Sequence, residues 1–141
     1  MTIEEIEKEI IEEFSAFEDW MDKYSYLIEL GNDCPEIDPK DKTENNLIKG
    51  CQSRVWISAR MKDGLMDITA DSDAVITKGI ISLLLRVFNH QKPEDVYNAN
   101  LDFIDAIGLK SHLSPTRSNG LLSMIKQIKL YALAFSTQNK G

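Results

Sequence analysis

The chain has 141 residues, 43% hydrophobic and 28% charged, with 16 Lys and Arg against 23 Asp and Glu for a net charge of −7. That length and mixture suit a globular domain able to bury a core without covalent staples, and exclude a disordered chain. The acidic balance argues against sequence-independent nucleic-acid binding, whose affinity comes mainly from clustered positive charge on phosphates.

The N-terminal stretch "MTIEEIEKEIIEEF" has no basic region followed by an apolar run, so no secretory signal is expected. The longest apolar run, in "IISLLLRVF", is too short to span a bilayer. With two cysteines, Cys34 and Cys51, a reducing cytoplasm without a structural disulfide is the expectation. Apolar positions from Ile3 to Ile28 recur at steps of three and four, predicting amphipathic helix from residue 2 to about 30, broken once between Asp19 and Ser25. Thr2 followed by Glu5 is a capping-box pattern at its start, and Gly31 is the expected stop. The acidic excess here reads as a solvated helix face, with a partner-steering patch as the alternative.

"NDCPEIDPKDKTEN" is rich in turn formers and predicts the one long loop. In "SRVWISARM", Val55, Ile57 and Ala59 alternate with Arg54, Trp56, Ser58 and Arg60, the period of a strand with two unlike faces. Lys62 to Gly64 is the hairpin turn, with Asp63-Gly64 supplying positive backbone angles, and "LMDITAD" is the returning strand. "NLIKG" is a further strand candidate. "DSDAVITKGIISLLLRVFNH" predicts a deeply buried helix with Asp71, Ser72 and Asp73 as candidate caps. Short helices follow in "KPEDVYNA", opened by Pro93, and in "NLDFIDAIGL", stopped by Gly108. The last helix starts at Ser114-Pro115, with an apolar stripe of Leu121, Leu122, Ile125, Ile128, Tyr131, Ala132 and Phe135. Helices, a small antiparallel sheet, then helices again define an α+β fold.

Chemistry narrows to one residue. Cys34, Cys51, His90 and His112 offer no close-spaced pair, so no structural metal site is expected. Neither a phosphate-cradling glycine loop nor a G-x-S-x-G elbow occurs. Cys51 is either an ordinary buried thiol or a working one. Gly50 lets the backbone turn just before it, Gln52 and Ser53 can hydrogen-bond beside it, and Lys49 or Arg54 could favour the thiolate. A cysteine-dependent hydrolase would also need His90 or His112 as base, and both are distant in sequence. Cys34, beside Pro35 in a polar loop, reads as incidental, with a resolving partner for Cys51 as the alternative.

Three motifs in order, "GCQSRVW", "ADSDAVITKGIISLLL" and "GLKSHLSPTRSNGL", resemble the SufE family of sulfur-acceptor proteins in iron–sulfur cluster assembly. The similarity runs over roughly residues 15 to 135 and implies one SufE-like domain over 1–141, with a fold shared with IscU-type scaffolds. By this resemblance Cys51 is the persulfide carrier. Asp71, Asp73, Lys78, Gly79, His112, Arg117, Asn119 and Gly120 match the family's recurrent positions. The resemblance implies a SufS-like cysteine desulfurase as sulfur donor, which the chain stimulates, and a SufBCD-like scaffold as recipient. No cofactor belongs to the chain, because the pyridoxal phosphate is the desulfurase's. A persulfide needs shelter from stray thiols, so an apolar pocket beside "AVITKGIISLLL" and a hinge at Gly50 are expected.

Supporting the cysteine loop are then Gly50, Gln52, Asp71, Asp73, His112 and Arg117. Arg117, in the first turn of its helix, opposes the helix dipole, and its expected role is an ion pair with Asp71 or Asp73. Asp73 has a second reading as a helix cap, and His112 reads as a hydrogen-bonded structural residue rather than a proton shuttle. Cys34 departs from the family pattern and leaves open a disulfide with Cys51 under oxidation. A scaffold would need several cysteine ligands, which a lone Cys51 does not supply. A cysteine-dependent hydrolase, or an interaction module in which Cys51 is structural, are the alternatives.

Overall fold

The computed structural model describes residues 1–34, 37–48 and 54–139. Two helices open the chain, α1 (Ile3–Ser15) and α2 (Trp20–Asn32). The capping box forms as expected. Thr2 Oγ1 accepts from the Glu5 amide and Glu5 Oε1 accepts from the Thr2 amide, both at 3.1 Å. The break comes earlier than predicted, at residues 16–19, because Asp19 caps α2 by accepting from the Asp22 amide at 2.9 Å. Gly31 does not stop the helix; α2 runs on to Asn32.

Two 3-10 turns, Pro39–Asp41 and Glu44–Asn46, break up the predicted loop. β1 (Val55–Lys62) and β2 (Leu65–Ser72) pair antiparallel, with Lys62 opposite Leu65 and Val55 opposite Ser72. Asp63 (φ 55°) and Gly64 (φ 81°) make the two-residue turn the sequence demanded. "NLIKG" gives no strand among the described residues: Leu47 makes a single bridge to Trp56, and the Ile48 amide donates to Val55 O at 2.8 Å. The outer edge of β2 is closed by residues 89–91. Main-chain bonds join Met66 to His90 and Gln91, and the Asn89 side-chain amide pairs with both polar groups of Ile68. A covered edge cannot template aggregation.

Behind the sheet lies α3 (Val75–Phe88), then the short helices α4 (Pro93–Asn98), α5 (Asp102–Ala106) and α6 (Leu109–His112), and the long α7 (Pro115–Asn139). Val55, Ile57, Met66 and Ile68 of the sheet and Ile80, Leu84 and Leu121 of the helices belong to one buried cluster. The fold is therefore α+β, a small antiparallel sheet packed by helices. Ser114 caps α7 as expected, accepting from the Arg117 amide at 3.3 Å. The stripe of α7 is corrected at Leu122, which is 48% exposed while Met124 takes a buried place.

α2 and α3 meet backbone to backbone. A Cβ on Gly79 would stand 2.2 Å from Leu27 O, and one on Gly31 would stand 2.8 Å from the Gly79 amide nitrogen. Only glycine permits so close a crossing. This is the reason for Gly31, and it fixes the start of α3 against α2.

Candidate functional site

Gly50, Cys51 and Gln52 lie outside the described residues, as do Lys49 and Ser53. Their flanks are described: the Ile48 amide donates to Val55 O, and Arg54 is tied to Asp73. Arg54, just after the segment, donates its amide to Asp73 Oδ1 at 3.1 Å, and the Asp73 amide donates to Arg54 O at 3.3 Å. Asp73 thus closes a two-way backbone clasp on the outgoing flank.

Asp71 holds the preceding stretch further back, at Ile37 and Lys42. It is only 3% exposed and stands opposite Trp56 in the sheet. Its Oδ2 accepts from the Ile37 amide at 3.3 Å and lies 3.5 Å from Lys42 Nζ. Its Oδ1 accepts from the Ser72 amide at 2.8 Å and lies 3.5 Å from Lys78 Nζ. Burial by itself would raise the carboxyl. Donation from Ser72 and Ile37, together with the charges of Lys78 and Lys42, outweighs burial and holds it below the ordinary carboxylate range. The buried charge is fully partnered, the condition for keeping one in a core.

The predicted caps are corrected here. α3 has Ala74 as its N-cap residue with no side-chain cap bond, and Ser72 Oγ instead accepts from the Ala74 amide at 3.2 Å. Asp73 reaches back to Arg54, and Asp71 joins Ile37 and Lys42 as well as Ser72 and, in α3, Lys78, instead of capping the helix. The Arg117 pairing is also corrected: Arg117 is exposed, and among the described residues it makes no ion pair with Asp71 or Asp73. Lys42 and Lys78 fill that place at Asp71. No sequence signal singles out Lys42, because nothing in its neighbourhood, "DPKDKTEN", marks one lysine from the other. Its ammonium also lies 5.2 Å from the centre of the Trp56 ring.

His112 belongs to a different cluster. Its Nδ1–H donates to Gly108 O at 2.9 Å, its ring stacks on Trp20 at 4.1 Å, and its carbonyl accepts from the Tyr24 hydroxyl at 2.5 Å. These contacts join α6 to the start of α2, in keeping with a structural residue. No hydrogen bond or ion pair links it to either aspartate among the described residues.

Cys34 is buried, 8% exposed, and lines a cleft of about 510 Å³ whose walls include His90, Arg86 and Ala70. Burial pushes its thiol up; Lys78 pulls the other way and Asp71 adds to the rise. A thiol held neutral is a poor nucleophile. Among the described residues, no group of three or more His, Cys, Asp or Glu stands close enough to hold a metal ion. No helix there is long and apolar enough to cross a membrane.

What these elements define is a small α+β domain in which Asp71 of β2 holds Ile37 and Lys42 and Asp73, just after the strand, holds Arg54. The SufE family, described as the Fe-S metabolism associated domain, matches residues 8–132, and the chain belongs to that family. Its role therefore lies in iron–sulfur metabolism. The solution structure of a hypothetical protein from Thermus thermophilus is similar, with a TM-score of 0.78 at 20% identity over 94% of this chain and 96% of that one. That likeness bears on the fold alone.

Proposed function

We propose that the chain is a sulfur acceptor and carrier with Cys51 as its working thiol. The donor is a SufS-like, pyridoxal-phosphate cysteine desulfurase that holds sulfur as a persulfide on its own cysteine. The Cys51 thiolate attacks the outer sulfur, and the bond between the two sulfurs of the donor persulfide breaks. The donor cysteine leaves as a thiolate, and Cys51 carries the sulfur as a persulfide, with no net oxidation or reduction. The carrier then delivers the sulfur to a SufBCD-like scaffold. Removing the donor's product in this way stimulates the desulfurase.

The observation that supports this reading is that both ends of the segment between Ile48 and Arg54 are tied down, with motif residues beside them. Asp73 holds Arg54, the Ile48 amide donates to Val55 O, and Asp71 holds Ile37 and Lys42 further back; in the sequence Cys51 stands three residues from both Ile48 and Arg54. A merely buried thiol needs no such bracing, whereas a thiol that must meet a second protein's sulfur in line does. Gly50 and Gln52 keep their proposed supporting roles at this segment.

The test is an intact mass without reductant after mixing the chain with the desulfurase and cysteine. A gain of about 32 Da, kept in Cys34→Ser and lost in Cys51→Ser, is the expected result. No gain with an active cognate desulfurase would return Cys51 to an ordinary buried thiol.

A further inference from the structure

We propose that the cleft beside the outer edge of β2 binds a small neutral ligand carrying one extended peptide unit and an apolar side chain, held by the main chain of Ala70. Successive residues of an antiparallel strand turn their amide and carbonyl to opposite edges. In β2, Met66, Ile68, Ala70 and Ser72 turn theirs away from β1. Met66 bonds the main chain of His90 and Gln91, the Asn89 side chain bonds both groups of Ile68, and the Ser72 amide donates to Asp71 Oδ1. Between them Ala70 has no partner for either group among the described residues, although it is only 4% exposed. Buried main-chain groups are paired almost without exception, so an open pair in a cleft wall points to an occupant.

The cleft, of about 510 Å³, has the size of a small-molecule site. Ala70 stands in its wall with Leu30, Cys34, Ile37 and Leu85, which supply apolar surface. Of the titratable side chains there, Arg86 bonds Glu13, Asp67 bonds Arg60, and Asp33 and His90 are exposed. None of these four is a buried, unpaired charge, so a neutral ligand fits the cleft better than an ion. An extended residue offers its own N–H and C=O on one side, at the spacing that Ala70 presents. The ligand N–H donates to Ala70 O, and the Ala70 amide donates to the ligand carbonyl, as in the addition of a strand. The pairing stops at one residue, because Asn89 occupies the edge at Ile68 and Asp71 takes the Ser72 amide. A longer strand has nothing further to pair with.

The experiment titrates the isotope-labelled full chain with N-acetylleucine N-methylamide and follows the backbone amides by NMR. The Ala70 amide proton is expected to move downfield and to exchange more slowly with solvent as the probe binds. The same probe methylated on the leucine nitrogen has lost its donor and binds about tenfold more weakly. Ser82→Phe, which fills the cleft from its α3 wall, loses binding of the unmethylated probe. Should that variant fail to fold, the two probes on the wild-type chain decide alone. An Ala70 amide unmoved up to the solubility limit of the probe would overturn the inference, as would equal binding of the methylated probe or undiminished binding by a folded Ser82→Phe. A leucine-centred pentapeptide that bound about tenfold tighter than the single unit would also overturn it, because the edge would then be accepting a strand.

Discussion

One ten-residue stretch, "ADSDAVITKG", makes two contacts of opposite kind. At its far end Gly79 lies against Leu27 and Gly31, with no room for a methyl group on either glycine. At its near end Asp71 sits among two amides and two ammoniums drawn from four places in the chain. The first contact is steric and all-or-none, because close-packed backbone cannot yield by an ångström. The second is electrostatic and graded, since charge, pH and salt all act on it. The glycine crossing fixes α3 against α2, and the aspartates just before α3 hold Ile37, Lys42 and Arg54 from there. The rigid contact positions the adjustable one.

The sharpest way to break this comparison is to fill the crossing. Gly79→Ala puts a Cβ into the Leu27 carbonyl, and a loss of about 3 kcal/mol in denaturant unfolding is expected. Gly31→Ala, facing an amide nitrogen at 2.8 Å, should cost less, about 1–2 kcal/mol. Equal and negligible losses would mean that the helices part easily and that the crossing positions nothing.

Asp71→Asn comes next, with a loss of about 2 kcal/mol at neutral pH, since it leaves two ammoniums facing a neutral amide. Its pH profile sharpens the contrast. The folded carboxyl is held below its unfolded value, so its contribution is fully present above the ordinary carboxylate range and is lost as pH falls through the folded pKa. Wild type should therefore weaken on acidification in a way that Asp71→Asn does not, while Gly79→Ala weakens in parallel with wild type. Acid unfolding followed by circular dichroism separates the three.

Asp73→Ala is milder, because it removes one bond from the Arg54 amide at an exposed position; about 1 kcal/mol is expected. The clearer readout is hydrogen exchange, with the Arg54 amide faster in the variant and the strand amide of Ser58 unchanged. An unchanged Arg54 amide would show that the backbone clasp alone holds the outgoing flank.

The sequence makes some of this legible and hides the rest for identifiable reasons. Thr2 with Glu5, Asp63-Gly64 and Ser114-Pro115 carry their instructions within three or four residues, and each folds as its pattern demands. Gly31 reads as a helix stop because that is the usual meaning of a glycine at that place. Its partner Gly79 is far along the chain, and no local pattern announces it. Asp71 and Asp73 read as caps for the same reason, since their actual partners, Ile37, Lys42 and Arg54, are brought to them by the fold. Charge alone assigns Arg117 to the aspartates, and two lysines hold that place at Asp71. The motifs name the residues, and the partners those residues take need three dimensions.

The smallest predicted effect tests the comparison from outside the motif. Glu7 of α1 is buried much as Asp71 is and accepts from the Phe103 amide at 3.1 Å, capping α5, whose own N-cap, Leu101, offers no side-chain bond. No cation pairs with it among the described residues. Burial raises its carboxyl, the Phe103 amide opposes that, and the nearby charges of Asp102 and Glu4 add to the rise. A raised folded pKa means a contribution present below the ordinary carboxylate range and lost as pH climbs through the folded value, the reverse of Asp71. Glu7→Gln keeps a carbonyl oxygen for Phe103 and drops the uncompensated charge. It should leave stability at pH 7 unchanged or raise it by up to about 1 kcal/mol, and flatten its fall with rising pH. Two buried carboxylates replaced by the same amide would then move stability in opposite directions, according to whether ammoniums face them. If Glu7→Gln lost as much as Asp71→Asn, burial and not partnership would set the sign, and Asp71 would stand as one more core hydrogen bond.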